Sequence, residues 1–579
     1  MKSRVWTAPI GAVLCALLVA CGSSGGDEGP VPDVAVAGPT DDDSEDTTTD
    51  TSPVLNIRRE RNRRGDRPND TDRQRSFDGS GNNRTDIAMN EAHTPLARWA
   101  AVSYGDLVST LGGTDRPNPR AISNAVSAQS TDMPNPFNAS DFLWQWGQFI
   151  DHDIDLTDGI EPAEPANIAI PAGDPWFDPN AAGGMIMALN RSLYDTSTGS
   201  DTVNPRQQIN EITGWIDASH VYGSDIDRAL ALRTLDGTGQ LKVSAGNLLP
   251  FNEDGLANAG GASTELFLAG DVRVNEQLGL TVMHTLFVRE HNRLVGELAA
   301  ERPTLSGDEL YTAARRLVAA EMQIITFDEF LPLLLGPAAI PPYRGYDEFI
   351  NARIANEFST AAFRLGHSML SGTLRRIDAA GETIALGDLP LRDAFFAPDT
   401  IAAQGGLEPL LRGLAAQVCQ TIDVFVVDDV RNFLFGPPGS GGFDLVSLNI
   451  QRGRDHGLAD YNTLRDAIDL PPVASFADMT RSLELQDRLA SVYGSVANID
   501  PWVGGLAEDA LPGSLLGETF YTVVRRQFLR LRDGDRFWYE RSLSADERRR
   551  VDGVTLADII RRNTTIGAEL SDNVFIASP

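Results

Sequence analysis

From residue 75 to the C terminus, apolar residues recur at three- and four-residue spacing, the repeat of an α-helix with one buried face. Strand-like alternation is scarce, and Pro/Gly clusters such as 437–439 separate the periodic segments. No second break in composition follows residue 75, so we predict a mainly α fold, with a single large helical domain over 75–579 and few short strands. A domain of roughly 500 residues exceeds the usual size. We expect a domain of this size to form around a bulky group.

The charge balance argues against one class of partner. The chain carries 49 Lys+Arg against 81 Asp+Glu, a formal net charge of -32. Binding to a polyanion needs a Lys/Arg-rich surface, so we expect no nucleic-acid partner. Because 42% of the residues are hydrophobic, the chain has material for a large core, and wholesale disorder is excluded. Three cysteines are too few for a disulfide framework.

The first 20 residues have the pattern of a secretory signal. A basic start precedes an apolar run, residues 8–20, that is too short to span a bilayer as a helix. The run ends in Leu-Val-Ala before Cys21 and resembles a bacterial lipobox, in which the cysteine thiol carries a diacylglycerol. An ordinary secretory signal with a chance cysteine is the alternative. We predict a lipoprotein signal peptide over 1–20, lipidation of Cys21 and, since Gly22 rather than Asp follows, display on the outer membrane or cell surface.

Residues 21–74 have the composition of a tether. Between residues 22 and 54 there are nine acidic and no basic side chains, together with many Gly, Pro, Ser and Thr. An Arg-rich stretch follows. Such a segment buries too little apolar surface to offset chain entropy, so we predict a disordered tether, first acidic and then Arg-rich.

One predicted helix carries polar residues on its apolar side. Ser140 is a plausible N-cap, and Phe142, Trp146 and Phe149 mark the buried face. Residues 148, 151 and 152 stand at i, i+3 and i+4 on nearly the same face. Polar groups there are costly unless they meet a partner or line a cavity. From this segment alone, a functional site and a satisfied core histidine are about equally supported.

The segment resembles the distal helix of the animal-type haem peroxidases, whose pattern is close to Trp-Gly-Gln-x-x-Asp-His-Asp. Four further sequence blocks follow in the same order as in that family. Together they make the resemblance specific, and it covers nearly all of the predicted domain. The five blocks are 146–153, 208–222, 268–298, 363–367 and 448–457. The resemblance implies a haem-dependent peroxidase with b-type haem and a calcium ion.

The resemblance also implies roles for individual residues on the two sides of a haem. His367 would be the proximal ligand of the iron, and Asn449 would accept the other ring N–H of that histidine. His152 would be the distal base toward hydrogen peroxide. Arg273 would stabilise the negative charge that develops on the outer oxygen of the peroxide. Gln148 would hold distal water and bind the incoming halide.

Further residues match positions that hold the haem in this family. Asp151 and Glu276 match the carboxylates that form ester bonds to haem methyl groups, so the haem is expected to be ester-linked. Arg364 and Arg452 match arginines that pair with propionates. Gln277 stands where one branch of the family has a methionine that forms a third link. Chloride oxidation is therefore doubtful, and bromide, iodide, thiocyanate or phenols are the expected donors.

The resemblance also implies a calcium site with ligands from two separate segments. Hard oxygen ligands suit this ion, and the alternative interpretation is a loop of solvated Asp, Ser and Thr. The matching residues are Asp153, Thr213, Trp215, Asp217 and Ser219. Other histidines in the blocks, such as His284 and His291, are expected to serve packing or a hydrogen bond.

Two alternatives to a peroxidase remain open from the sequence. One is a lipid-anchored, non-catalytic surface protein that keeps the fold as a binding scaffold. Retention of the distal and proximal histidines weighs against it. The other is a fatty-acid dioxygenase of the same fold, which needs a tyrosine three residues before the proximal histidine. Here that position is Arg364. No sequence feature defines an oligomeric state.

Overall fold

The computed structural model describes residues 74–578. The predicted signal peptide over 1–20, the predicted lipidation site Cys21 and the predicted tether up to residue 73 lie outside these residues. The mainly α fold is confirmed. The α-helices, numbered α1 to α19 in chain order, are Pro119–Val126, Phe142–Ile154, Ser219–Tyr222, Ile226–Leu232, Leu278–Glu301, Gly307–Ile325, Leu331–Leu335, Asn356–Thr360, Asp399–Ala403, Glu408–Ala416, Asp428–Arg431, Leu445–Asp455, Tyr461–Ala467, Leu483–Tyr493, Pro501–Ala507, Glu518–Asp533, Tyr539–Ser542, Ala545–Val551 and Leu556–Asn563.

The strands are short and form three separate antiparallel pairs. The strands, numbered β1 to β6 in chain order, are Thr94–Pro95, Ile168–Ala169, Ile186–Met187, Ile209–Asn210, Thr373–Leu374 and Leu389–Pro390. Each has two residues, and the pairs join β1 to β4, β2 to β3 and β5 to β6. The 3₁₀ segments are Ala362–Ser368, Leu391–Asp393, Phe476–Asp478 and Val496–Asn498, and a π-helical turn spans Thr326–Phe330.

The two longest helices, α5 and α6, pack against each other in the core. The side chain of Gln277 accepts from the backbone N–H of Gly279 and caps the start of α5. Helix α6 begins with a capping box in which Ser306 and Glu309 satisfy each other's backbone N–H groups. These caps supply partners for N–H groups that the helix itself leaves free.

Helix α2 begins at Phe142, one residue later than a cap at Ser140 would place it, and Asp141 holds the N-cap position without a side-chain cap bond. The Ser140 hydroxyl instead accepts from the N–H of Phe142 at 3.2 Å and donates to the carbonyl of Val574 at 2.5 Å. Ser140 therefore ties the start of α2 to the C-terminal segment.

The buried side of α2 packs through its aromatic residues. The rings of Phe149 and Phe287 stack with centroids 5.2 Å apart, and Trp146 lies 5.9 Å from Phe287. The indole N–H of Trp146 donates to the Thr326 hydroxyl at 3.2 Å, at the start of the π turn. These contacts join α2 to α5 and to the π turn, so the position of α2 is set by the core.

Between residues 74 and 578 no helix combines the length and the apolar character that a membrane span requires. The longest, α5, carries charged residues along its length, among them Arg289, Glu290 and Arg293.

Candidate active site

A cavity of about 320 Å³ lies between α2, the loop before α5, the 3₁₀ segment Ala362–Ser368 and α12. All nine residues that the sequence places around a haem line it. They are Gln148, Asp151, His152, Arg273, Glu276, Arg364, His367, Asn449 and Arg452. Segments up to about 300 residues apart in the chain thus meet at one site.

His152 is the buried base at the α2 side of the cavity. Its ring is 4% exposed. Burial and the nearby Arg273 guanidinium hold the pKa of His152 well below its usual range. The imidazole is therefore neutral near pH 7, and one ring nitrogen keeps a lone pair that can accept a proton.

Arg273 is held by a carboxylate that the sequence analysis missed. Its Nε and Nη2 atoms donate to the two oxygens of Asp271, each at 2.9 Å, and Nη2 also donates to the carbonyl of Asp155. Asp271 is 2% exposed, and the Arg273 guanidinium is the main favourable charge that lowers the pKa of this carboxyl. The fork geometry suits guanidinium and carboxylate. The only sequence signal for Asp271 was a carboxylate two residues before the arginine.

Asp271 also faces the distal histidine. The Nδ1 atom of His152 lies 3.6 Å from Oδ1 of Asp271 and has no hydrogen-bond partner of its own. At this distance the contact is electrostatic rather than a hydrogen bond. A nearby carboxylate favours the tautomer with the proton on Nδ1, which leaves Nε2 as the base.

We expect Asp271→Asn to slow the reaction of the haem-loaded protein with peroxide by about 10- to 100-fold, the usual cost of losing a partner that orients a site residue. The amide keeps the size of the side chain but loses the charge and one of two acceptors for Arg273. Stopped-flow absorbance measures the rate. Asp86→Asn, which removes a surface partner of Arg353, is the matched control. An unchanged rate in the Asp271 variant would contradict a positioning role.

On the other side, His367 lies next to Asn449. Burial lowers the pKa of His367 to about 3, so its ring is neutral. The amide Nδ2 of Asn449 lies 2.8 Å from His367 Nδ1, while Asn449 Oδ1 is buried without a partner. Rotating the amide by half a turn would place Oδ1 against an Nδ1–H and satisfy both groups. His367 would then carry its free lone pair on Nε2, as a metal ligand requires.

Two further arginines line the cavity. The Nη1 atom of Arg452 donates to the carbonyl of Asn190, the hydroxyl of Ser192 and the carboxylate of Asp455. The Nε atom of Arg364 donates to the carbonyl of Ser359 at 3.1 Å. These bonds anchor both side chains at the cavity wall, where they suit anionic groups of a ligand.

Asp151 and Glu276 are carboxyl groups whose burial favours the neutral form. Burial raises the pKa of Asp151 to about 8 and that of Glu276 to about 7. Next to Glu276, the amide of Gln277 donates to Gln148 Oε1 at 3.0 Å and to Gln145 Oε1 at 2.7 Å. This contact leaves the NH₂ group of Gln148 available to a ligand in the cavity.

The residues expected to bind calcium meet beside α2. The backbone N–H of Asp217 donates to Asp153 Oδ2 at 3.0 Å, the Ser219 hydroxyl lies 3.0 Å from Asp153 Oδ1, and the Thr213 hydroxyl lies 3.2 Å from Asp217 Oδ2. The backbone N–H of Trp215 donates to that same hydroxyl. Both carboxylates are fully buried.

Two buried carboxylates this close favour a cation. Burial, and then the charge of Asp153, raise the pKa of Asp217 to about 7. A bound divalent ion would relieve that repulsion, and the aspartate, threonine and serine side chains offer oxygen ligands, as calcium prefers. The imidazole of His220 also lies against this cluster, with Nδ1 2.9 Å from Asp153 Oδ1. The residues therefore fit the ion that the sequence predicts.

Aromatic side chains stand at one end of the cavity. Phe395 and Phe435 line it and are half-buried, with ring centroids 5.1 Å apart, and Phe396 lies 5.6 Å from Phe435. The sequence does not single them out, because isolated phenylalanines in loops carry no periodic signal. No tyrosine is among the described residues that line the cavity.

The other histidines of the blocks lie outside the cavity lining. His220 and His284 pack against Phe149, with ring centroids at 4.1 and 5.1 Å. His291 is bonded to Tyr222 and His456 to Ser192. These positions agree with packing or hydrogen bonding.

Comparison with known proteins gives a consistent answer. A family model described as "Animal haem peroxidase" matches residues 74–575. Peroxinectin A of Dictyostelium discoideum is 36% identical over 515 residues, which is 86% of this chain and 95% of that protein. Human eosinophil peroxidase is 36% identical over 561 residues, covering 88% of this chain and 77% of its own length.

Solved structures support the same fold. Peroxidase A from Dictyostelium discoideum superposes with a TM-score of 0.81 at 35% identity, covering 87% of this chain and 99% of its own. The fatty acid alpha-dioxygenase of Oryza sativa superposes with a TM-score of 0.73 at 21% identity, covering 87% of each chain. The second likeness concerns the fold alone.

Proposed function

The chain belongs to the animal haem peroxidase family and is a haem peroxidase, and from this premise we propose that it oxidises small anions (bromide, iodide, thiocyanate) or phenolic donors with hydrogen peroxide. The observation that carries the proposal is the single cavity that unites two neutral histidines with Arg273 and Gln148. His367 would hold the haem iron, and Asn449 would orient that ligand.

Bound haem supplies the iron at which peroxide is reduced and the oxidising power that passes to a donor. His152 Nε2 takes the proton from one peroxide oxygen and returns it to the other, which leaves as water. The Arg273 guanidinium, held in place by Asp271, stabilises the negative charge on the departing oxygen. Because both groups are fixed before reaction, little reorganisation is needed.

Small anionic donors suit the distal side of the cavity. The Gln148 NH₂ group and the Arg273 guanidinium are donors that can hold an anion next to the haem. Gln277 keeps Gln148 oriented. Since a glutamine cannot form the sulfonium link of a methionine, we propose bromide, iodide and thiocyanate rather than chloride.

Phenolic donors suit the aromatic end of the cavity. The rings of Phe395 and Phe435 offer apolar faces and edges against which a phenol can pack. Arg364 stands three residues before His367, and no tyrosine lines the cavity among the described residues. Both facts favour peroxidation over the oxygenation of a fatty acid, which we expected to need a tyrosine there.

Steady-state turnover of the purified, haem-loaded chain with a panel of halides, thiocyanate and phenols tests the proposed donors. We expect oxidation of bromide, iodide, thiocyanate or a phenol well above that of chloride. A Gln148→Ala variant should lose anion oxidation more than phenol oxidation. A protein that takes up haem but oxidises none of these donors would contradict the proposal and favour a non-catalytic scaffold.

We further propose that the haem becomes ester-linked through Asp151 and Glu276, which line the cavity beside Arg273. Extraction with acidified acetone after turnover separates free from bound haem. Haem that leaves freely after turnover would contradict this assignment, and Glu276→Gln should release more haem than the unmodified chain.

We propose calcium binding by Asp153 and Asp217 with Thr213, Ser219 and the backbone of Trp215. Chelation with EGTA is expected to lower the apparent Tm, because an ion present at 100 times its Kd contributes about 2.7 kcal/mol to stability. Added calcium should restore the Tm. Asp217→Asn, which removes one ligand charge, should abolish the response. A Tm that EGTA leaves unchanged would contradict a bound calcium ion.

For localisation we propose attachment to a bacterial outer membrane or cell surface through lipidated Cys21. The support is the sequence pattern before Cys21 and the acidic tether that follows it. Mass spectrometry of the mature N terminus, compared with a Cys21→Ser variant, distinguishes a lipidated cysteine from ordinary secretion.

A further inference from the structure

Behind α2, a buried tyrosine and a buried histidine form a hydrogen-bonded pair that the proposed mechanism does not use. Tyr222 ends helix α3 and His291 lies in the middle of α5, and both side chains are 0% exposed. The Tyr222 hydroxyl lies 2.8 Å from His291 Nδ1. Of the tyrosines that the structure describes, Tyr222 is the one whose hydroxyl meets a histidine nitrogen.

The proton on this pair has a defined position. His291 Nε2 lies 3.0 Å from the carbonyl of Gly239, and a carbonyl can only accept. Nε2 therefore carries the ring proton, Nδ1 has a lone pair, and Tyr222 donates to it. Burial lowers the pKa of His291 to about 4 and raises the pKa of Tyr222 well above its usual value. At neutral pH the pair therefore consists of a protonated phenol that donates to an unprotonated imidazole nitrogen.

The helices that carry this pair pack against the cavity wall. Helix α3, which ends at Tyr222, and helix α5, which carries His291, both contact α2. Gln148, Asp151 and His152 on α2 line the cavity. The pair therefore lies on two helices that adjoin the helix on the distal side of the site.

We propose that Tyr222 is an internal one-electron donor to the haem group once peroxide has oxidised it, with His291 as the acceptor of its proton. The electron leaves Tyr222 and reduces the haem group by one equivalent. The phenol O–H bond breaks, and an N–H bond forms at His291 Nδ1. An external donor later returns one electron, and the proton moves back to the oxygen. When no donor is bound in the cavity, the protein thereby holds one oxidising equivalent as a radical on Tyr222, outside the cavity.

The hydrogen bond is what makes this step feasible in an apolar interior. Removing an electron from the phenol makes its O–H group strongly acidic, so the oxidised ring is stabilised only if the proton has an acceptor within reach. His291 Nδ1 is that acceptor, and the imidazolium that forms keeps its Nε2–H bond to the carbonyl of Gly239. The transfer needs no side-chain movement, since donor and acceptor are already in contact.

A neighbouring tyrosine provides a matched control. The Tyr311 ring lies 5.8 Å from that of Tyr222 and 5.3 Å from that of His291. It is also buried, but its hydroxyl has no hydrogen-bond partner. Oxidation of Tyr311 would leave its proton without an acceptor. Two adjacent tyrosines therefore differ in the one feature on which the proposal depends.

The test is rapid-freeze EPR of the haem-loaded full chain mixed with one equivalent of hydrogen peroxide and no donor. We expect a tyrosyl radical, identified by the changed line shape when the protein contains ring-deuterated tyrosine. Tyr222→Phe should lose this signal, and Tyr311→Phe should keep it. His291→Gln, whose amide can accept a hydrogen bond but not a proton at neutral pH, should also lose it.

A measurement on the unmodified chain guards against variants that fail to fold. With ¹⁵N-labelled histidine, the radical should show a nitrogen coupling by ENDOR, because Tyr222 is the one tyrosine between residues 74 and 578 whose hydroxyl is hydrogen-bonded to a histidine. A tyrosyl signal without that coupling, or one that survives in Tyr222→Phe, would overturn the proposal.

The inference rests on the reaction of bound haem with peroxide, which Soret absorbance reports on the same samples. A normal Soret change with no tyrosyl signal contradicts the inference alone. No Soret change contradicts the proposed function and this inference together.

Discussion

Haem-loaded protein carrying His367→Ala is expected to lose its nitrogen-ligated Soret spectrum and more than about 100-fold of its peroxidase turnover. Loss of a residue that only orients a metal-bound histidine already costs about 10- to 100-fold, so loss of the ligand should cost more. His367 is the neutral imidazole next to Asn449 in the cavity, and alanine offers the iron no replacement. Absorbance and steady-state turnover measure the two effects.

Added imidazole should partly restore both readouts in this variant, because it can enter the space left by the side chain. His93→Asn is the control, since His93 is exposed, lies outside the cavity lining and has a φ of +63° that asparagine tolerates. If the alanine variant kept the spectrum and turnover of the unmodified chain, His367 would not be the iron ligand.

His152→Ala is expected to keep the haem and its nitrogen ligand but to react with peroxide about 10²- to 10⁴-fold more slowly, the usual contribution of a general acid–base. The pKa of His152 lies well below its usual range, so the ring is a neutral base that moves the peroxide proton. Arg273 stays in place on Asp271 and preserves the remaining charge stabilisation. Stopped-flow absorbance at the Soret band gives the rate.

The two histidine variants separate binding from chemistry. His367→Ala should change the spectrum before any peroxide is added, whereas His152→Ala should change only the rate after it is added. A rate within tenfold of the unmodified chain in His152→Ala would mean that another group moves the proton.

Much of the fold followed from local pattern. Three- and four-residue spacing predicted a mainly α domain, and the ordered blocks carried the family resemblance, since both depend on residues close in the chain. Helix α2 begins one residue later than a cap at Ser140 would place it, and the Ser140 hydroxyl donates to the carbonyl of Val574, a partner 434 residues away. No local pattern reports such a contact.

The candidate site likewise combines residues that the sequence identified with residues that it did not. The sequence identified nine side chains that line the cavity, from residue types in recognisable blocks. It did not identify Asp271, whose role depends on simultaneous proximity to Arg273 and His152, nor the phenylalanines at the cavity end. It expected His291 to serve packing or a hydrogen bond, but not that the partner would be Tyr222.

By itself, the sequence determined which acids, bases and cations the protein has, which segments become helices and which family it resembles. Those properties reside in single side chains and in short-range spacing. Only the tertiary structure decided that both site histidines are neutral, which carboxylate holds Arg273 and which tyrosine has a base for its proton. Each of these depends on burial and on contacts of about 3 to 4 Å, over which desolvation and charge act. The contacts of Asp271 with His152 and of Tyr222 with His291 join segments that are far apart in the chain.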